Sequence, residues 1–264
     1  MLLRSVMQHV RDQNWTAVAI DFVIVVVGVF IGIQVANFNS ARFEAKRADS
    51  YLQRLHRDVS DDIVMLQQRK ALWARQIELG REALAATELR PREQARAWEI
   101  VRAFHHASNS VPLQLRDATY VDMVSSGQLG LIENTELRDF LTLYHNASWA
   151  VDLSSLIPEY RMAVRRIIPP EVHNYLSLIA CREFEPPHRH ILKDCAAPTI
   201  EIDFAGLADS LIADDRLRGD LVYALSVLIT STYIVDGVIL VAAIELRDRI
   251  YQALSVNGIR AVLP

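Results

Sequence analysis

An apolar stretch close to the amino terminus constrains the fold of this chain more than any other feature. Residues 18–36 are apolar except for Asp21 and Gln34. About 20 such residues are needed to cross the hydrocarbon core of a bilayer, which is roughly 30 Å thick. The stretch predicts three parts, namely a short tail over residues 1–17, a transmembrane helix over residues 18–38 and a helical extramembrane domain over residues 39–264.

A cleaved signal peptide is the alternative interpretation of this stretch. Its apolar region would be shorter, about 7 to 15 residues, and no clear small-x-small cleavage site follows Ala36. The excess of basic residues after the span, taken alone, would put the domain in the cytoplasm. This rule predicts orientation less well when a long domain follows the span, so charge alone does not decide the orientation.

The composition indicates an all-α fold. The chain has 9 Gly and 9 Pro, and long stretches of helix-favouring residues lie between them. Leucines and other apolar residues after the span recur at steps of three, four or seven: Leu52, Leu55, Val59, Ile63, Leu66, Trp73, Ile77 and Leu84. We therefore expect the transmembrane helix to continue into a long amphipathic helix, followed by a helical bundle. With a net charge of only -4, nothing suggests a nucleic-acid partner.

Caps and turns divide the rest of the domain into helices. The sequence predicts helices over residues 92–107, 119–125 and about 135–154, with a turn at Ser126-Gly127 and Asn134 as an N-cap. Asp203 is a candidate cap for residues 204–213. A last helix should begin at Asp214 or Asp215 and reach about Leu254.

The last helix contains a second apolar stretch, residues 221–244, which is long enough to span a membrane. Asp236 lies near its centre, and a central Asp costs roughly 2.5 to 3.5 kcal/mol on insertion scales. A helix that is apolar all round also suits the centre of a bundle. We favour the buried core helix, and a second span is the alternative.

Two segments resemble an uncharacterised family of bacterial membrane proteins, defined as a domain of unknown function. They are VVVGVFIGIQVANFNSAR at residues 25–42 and TYVDMVSSGQLGLIENTELRDFLTLYH at residues 119–145. Gln128 stands where that family usually has Asn, and Phe38 stands where Trp is common. The resemblance implies a bacterial membrane protein with one N-terminal span followed by a helical domain, and it implies no activity.

The two cysteines, Cys181 and Cys195, flank a short loop that contains two prolines. A pair that closes a loop of about 15 residues indicates a disulfide, worth about 3 kcal/mol. A disulfide would place the domain outside the cytoplasm. Two unpaired thiols remain an alternative. A metal site that adds His188 and His190 is another, although histidines at i and i+2 lack the spacing of structural zinc sites.

Other polar residues suggest no chemistry. We interpret the adjacent His105 and His106, like His145, as surface residues or partners of a helix dipole. The acidic pairs Asp61-Asp62 and Asp214-Asp215 are expected to be solvated or to cap helices. The chain contains no zinc-protease HExxH, nucleophile-elbow GxSxG, phosphate-binding glycine loop or dinucleotide fingerprint. We expect no metal or other cofactor and no enzymatic activity.

One face of the span is the most specific feature of the sequence. Asp21, Val25, Gly28 and Gly32 share this face because steps of 4, 7 and 11 residues return to nearly the same angle. The two glycines form a GxxxG motif, which lets another helix approach closely. An intramembrane acid needs a partner or the headgroup region. A contact with another transmembrane helix, of a second copy or of a foreign subunit, is predicted; a lone anchor is the alternative.

Three hypotheses about function remain from the sequence. The first is an interaction module or accessory subunit of a larger membrane complex, located in the bacterial inner membrane with a periplasmic domain. The second is a ligand sensor built on a helical bundle, which would work through a partner because the tail before the span is too short for a signalling domain. The third is an enzyme with its site near His188 and His190.

Overall fold

The computed structural model describes residues 15–89, 94–111, 113–146, 158–185 and 189–256. These residues are helical apart from connecting loops and one two-stranded hairpin, which confirms the all-α class. The α-helices of the described ranges are α1 (Trp15–Leu89), α2 (Gln94–Ala107), α3 (Ala118–Ser125), α4 (Thr135–Asn146), α5 (Pro158–Ile167), α6 (Pro170–Asn174), α7 (Phe204–Ala213), α8 (Asp215–Ile234) and α9 (Leu240–Val256). The two strands are β1 (Arg182–Glu185) and β2 (Arg189–Leu192), which pair in antiparallel register.

The chain divides into two compact units at a boundary inside α1, the first ending at Ser50 and the second beginning at Tyr51. The first unit is a single helix in its described part. Between residues 22 and 47 every described side chain is exposed, including those of Phe22, Phe30 and Phe38. A helix long and apolar enough to span a membrane is therefore present, as predicted.

The second unit has its hydrophobic core along the later part of α1. The predicted stripe is buried from Leu52 to Ile77, and Leu84 is half-buried against the same core. Around this stripe α2 packs against α7, α5 against α8, and α4 against α9. The sequence periodicity thus identified the face of α1 on which the domain assembles.

Several local signals in the sequence are confirmed. Gly127 has φ of +68°, the left-handed conformation that Gly adopts most readily, and it ends the turn after α3. The Asn134 side chain accepts a hydrogen bond from Leu137 N at 3.0 Å, which caps α4. Asp203 caps α7 through Gly206 N, and Asp214 caps α8 through Arg216 N and Leu217 N, each at 3.0 Å. Asp214 is therefore the N-cap of the last long helix, and Asp215 is its first residue.

Two features of the second unit differ from the expectation. The hairpin of β1 and β2 was predicted as an irregular loop, and backbone pairing between residues 182–185 and 189–192 makes it a sheet instead. The last long helix was predicted as one helix reaching about Leu254, but α8 joins α9 through a π-helical segment, Val235–Ile239. The predicted extension of α4 to residue 154 lies outside the described residues.

Candidate functional site

The predicted packing face of the span is an open surface in the single chain. A Cβ atom added at Gly28 or Gly32 would meet nothing within 4 Å. The Val25 side chain on the same face is 63% exposed. The Asp21 side chain lies outside the described part of the structure, although its backbone is helical. At Val25, Gly28 and Gly32 the described part of the structure therefore leaves this face open, as a contact face for another helix would be.

The two cysteines lie at disulfide distance, with their Cα atoms 5.2 Å apart. Cys181 precedes β1 and is fully buried, and its carbonyl accepts a hydrogen bond from Lys193 N. The carbonyl of Cys195 accepts a hydrogen bond from Trp98 Nε1 at 2.8 Å. The pair therefore links the base of the hairpin to the segment that packs against α2.

The alternative of a metal site with two histidines gains no support. His190 Nδ1 lies 2.6 Å from Arg182 Nη2, and His188 is outside the described residues. Among the residues that the structure describes, no group of three or more His, Cys, Asp or Glu side chains is arranged to hold a metal ion.

His105 and His106 are fully buried, so the interpretation as surface residues was wrong. They end α2, and α2 is enclosed by α1, α5, α6 and α7, which leaves no exposed face at this end. The two rings point to different partners, as adjacent helical positions require. His105 Nε2 lies 2.8 Å from His173 Nδ1, whereas His106 Nδ1 lies 3.3 Å from Asn109 Nδ2. The hydroxyl of Ser177 lies 3.4 Å from both His105 and His173.

Buried polar groups around this histidine pair are held by the backbone. Gln76 on α1 donates to the carbonyls of His106 and Asn109, at 3.1 and 2.6 Å. The Ser108 hydroxyl donates to the carbonyl of His105 at 2.6 Å. The last carbonyl groups of a helix lack partners within the helix. These side chains supply hydrogen-bond donors to such buried carbonyl groups at the end of α2.

The histidine pair is neutral because it is buried next to cations. Burial, followed by the charges of Arg165, His106, His173 and Arg161, lowers the pKa of His105 well below its usual value. Burial and then the charges of Arg102, Arg182, Arg75 and Arg165 lower the pKa of His106 to about 3. Neutral imidazoles keep one nitrogen as an acceptor and one as a donor.

A second buried group, Asp62, also contradicts the sequence interpretation, because it is fully buried rather than solvated. It points from α1 towards α4. Its carboxylate accepts hydrogen bonds from Arg116 N and from the Tyr144 hydroxyl, both at 2.9 Å. Burial raises the pKa of Asp62 to about 7, although these two hydrogen bonds oppose the rise. The neighbouring Asp61 is exposed, as expected, and pairs with Arg116 at 3.2 Å.

His145 is a third polar residue that was expected on the surface and is buried. Its ring stacks on Tyr120 with the ring centroids 4.3 Å apart. Burial lowers the pKa of His145 to about 4. The sequence carried no signal for this position, because stacking depends on α3 and α4 meeting in the tertiary structure.

Sequence reasoning missed the arginines that surround the histidine pair. Arg161 and Arg165 are four residues apart on α5 and thus share a face. That spacing was the available signal, but a pair of basic residues on a helix normally indicates a solvated face.

The comparisons with known proteins add nothing to this description: no family model, no curated protein and no solved structure matches the chain.

Proposed function

We propose that this chain is a single-pass protein of the bacterial inner membrane whose periplasmic domain serves as an interaction module or accessory subunit of a larger membrane complex. The observation that carries the proposal is the bare apolar helix of the first unit, where none of the most apolar 18-residue window is buried. Leaving that much apolar surface in water would be strongly unfavourable, at roughly 25 cal/mol per Å². A bilayer and a neighbouring helix would take this apolar surface out of water.

The second apolar helix supports a single span because polar groups tie it to the domain. Asp236, at its centre, pairs with Lys70 of α1 at 2.6 Å, and both side chains are almost half exposed. Arg218 pairs with Glu88 at 3.2 Å. One side of α8 is fully buried, including Leu217 and Leu221. A helix that buries one side and carries solvated ion pairs on another fits a bundle better than a bilayer.

The cysteine pair supports the periplasmic orientation. Disulfides persist in oxidising compartments such as the periplasm and are rare in the cytoplasm. With Cα atoms 5.2 Å apart, Cys181 and Cys195 have the separation that a disulfide requires. This argument outweighs the basic residues after the span, whose influence on topology is small when a long domain follows.

The face of Asp21, Val25, Gly28 and Gly32 is the proposed contact with another transmembrane helix. Lipid provides little hydrophobic drive between helices, so association depends on close packing and polar contacts. Gly28 and Gly32 lie one turn apart, and a Cβ atom added at either would meet nothing within 4 Å. They therefore form a groove into which the backbone of a second helix fits. Asp21 supplies the polar group that gains most from a partner.

Replacement of either glycine tests this contact. Gly28→Leu or Gly32→Leu should abolish crosslinking to the partner helix while membrane insertion is retained, because Leu is well accepted by lipid. Asp21→Leu should weaken the contact more than Asp21→Asn, which keeps polar atoms at the same depth. Crosslinking in membranes and co-purification in mild detergent report both the partner and a second copy of the chain.

Val27→Leu is the matched control, since Val27 lies on another side of the helix and is also exposed. The proposed contact is wrong if the glycine variants keep the same crosslinked products as the parent and Val27→Leu. The span would then serve as an anchor only.

A further inference from the structure

Three arginine side chains converge on the buried histidine pair from two elements of the second unit. Arg161 and Arg165 lie on α5, and Arg182 begins β1. Arg165 contacts the ring of His173, which in turn contacts His105. All three arginines are half-buried, so their guanidinium groups lose part of their water but remain within reach of solutes.

Among the residues that the structure describes, these arginines contact neutral groups. Arg161 donates to the Ser110 carbonyl at 3.1 Å, and Arg165 donates to Asn109 Oδ1 at 3.1 Å. Arg182 lies beside the His190 ring. In the described ranges, none of the three forms an ion pair with a carboxylate, whereas the nearby Arg75 and Arg102 share Asp194. Partly buried positive charge is therefore gathered here without a negative partner from these ranges.

The electrostatics of the group agree with this geometry. Burial, followed by the charges of Arg161 and Arg182, lowers the pKa of Arg165 to about 10. Burial and then the charge of Arg161 lower the pKa of Arg182. The arginines thus repel one another in a partly desolvated place, an arrangement that an anion would relieve.

The imidazoles next to the arginines also have unused hydrogen-bonding atoms. His105 Nδ1 and His106 Nε2 are fully buried and have no hydrogen-bond partner in the described part of the chain. Buried polar atoms are nearly always paired, so such exceptions mark places where a partner is missing. The charge of Arg165 acts on both histidines and that of Arg161 acts on His105, so these unpaired nitrogens belong to the same polar cluster as the arginines.

We propose that Arg161, Arg165 and Arg182, together with His173, bind a phosphate group, either free phosphate or the phosphate of an ester. Guanidinium forks match the paired oxygens of phosphate, and several cations are neutralised better by a dianion than by a single carboxylate. The half-buried position lowers the local dielectric, which strengthens each charged hydrogen bond. This site is independent of the proposed topology and contact face of the span, and it favours the sensor hypothesis for the domain.

Thermal unfolding of the full chain in mild detergent tests the site. Inorganic phosphate is titrated against sodium chloride at equal ionic strength and at neutral pH. The melting temperature should rise with phosphate and stay unchanged with chloride, because a ligand that binds only the folded state stabilises it. A water-soluble short-chain phosphatidate is the second arm. A response to phosphatidate at much lower concentration than to inorganic phosphate would identify a lipid headgroup as the source, and the site stands in either case.

Arg165→Gln and Arg161→Gln should each weaken the apparent affinity for phosphate at least about 10-fold, because each removes a charged hydrogen bond. Arg166→Gln is the matched control, since Arg166 is the exposed neighbour on the same helix and the charge change is the same. If Arg165→Gln fails to fold, Arg161→Gln and Arg182→Gln decide the outcome. The proposal is overturned if phosphate and chloride act alike on the parent, or if the folded variants respond to phosphate as Arg166→Gln does.

Discussion

At the scale of single residues, Asp62 shows how burial reverses the usual behaviour of an acid. Most carboxylates in folded proteins are stabilised in their charged form. Asp62 is fully enclosed between α1 and α4, and its two hydrogen bonds do not compensate for the lost water. Burial therefore raises its pKa to about 7, and the folded state takes up a proton that the unfolded chain does not.

This raised pKa predicts that Asp62 lowers stability at high pH. The folded-state pKa is about 7 and the unfolded value 3.8. As the pH falls from 8 to 6, only the folded state gains the proton, so the free energy of unfolding should rise by about 1 kcal/mol. Asp62→Asn should remove this part of the pH dependence. Thermal unfolding of the detergent-solubilised chain across that range measures it.

Asp61→Asn is the control for Asp62→Asn, because Asp61 is the exposed neighbour on the same helix. Burial lowers the pKa of His105, His106 and His145, so protonation of these residues in the unfolded chain opposes the effect of Asp62 below about pH 6.5. The pH dependence of unfolding is therefore compared between Asp62→Asn and Asp61→Asn, and the difference isolates the effect of Asp62. Equal pH dependence in both variants would contradict the raised pKa.

At the scale of elements, α1 meets α8 and α2 at one glycine. A Cβ atom added at Gly80 would lie 2.6 Å from Leu225 Cδ2 and 3.5 Å from the Cβ of Ala107. The sequence shows Gly80 only as a helix-interior glycine, which costs about 1 kcal/mol relative to Ala. The structure gives a physical reason for this glycine, because a side chain at this position would overlap the end of the Leu225 side chain and force it to move.

Leucine substitutions at two glycines should have opposite effects. Gly80→Leu should lower the free energy of unfolding by about 1 to 3 kcal/mol or more, because it overpacks a close helix contact. Gly219→Leu, on the exposed side of α8 where an added Cβ meets nothing within 4 Å, should raise stability by up to about 1 kcal/mol through helix propensity. Thermal unfolding of both variants beside the parent measures the pair. A Gly80→Leu protein as stable as Gly219→Leu would show that the helices are not closely packed there.

The elements were largely predictable from sequence because their signals are local. The stripe of α1, the glycine turn at Gly127 and the caps Asn134 and Asp203 depend on residues a few positions apart. The polar interior was not predictable, because burial of Asp62 depends on Tyr144, which lies 82 residues later in the chain. The cluster of Arg161, Arg165 and Arg182 likewise depends on where the tertiary structure places α5 and β1.

At the scale of the whole molecule, two helices are long and apolar enough to cross a membrane, and they differ in burial. The most apolar window of the first helix is entirely exposed, whereas 28% of the corresponding window in α8 and α9 is buried inside the domain. Hydropathy alone treats the two helices alike. The buried leucines of α8 and the pairing of Asp236 with Lys70 favour one span and one bundle helix.

The side of the membrane that each terminus faces tests the central claim directly. Epitope tags are placed at both ends of the full chain, and antibody access is compared in intact and permeabilised bacterial spheroplasts. One span with a periplasmic domain predicts that the carboxyl-terminal tag is accessible in intact spheroplasts and the amino-terminal tag only after permeabilisation. Protection of both tags until permeabilisation would place α8 and α9 across the membrane and contradict the single-pass account. Access to the amino-terminal tag alone would contradict the periplasmic orientation.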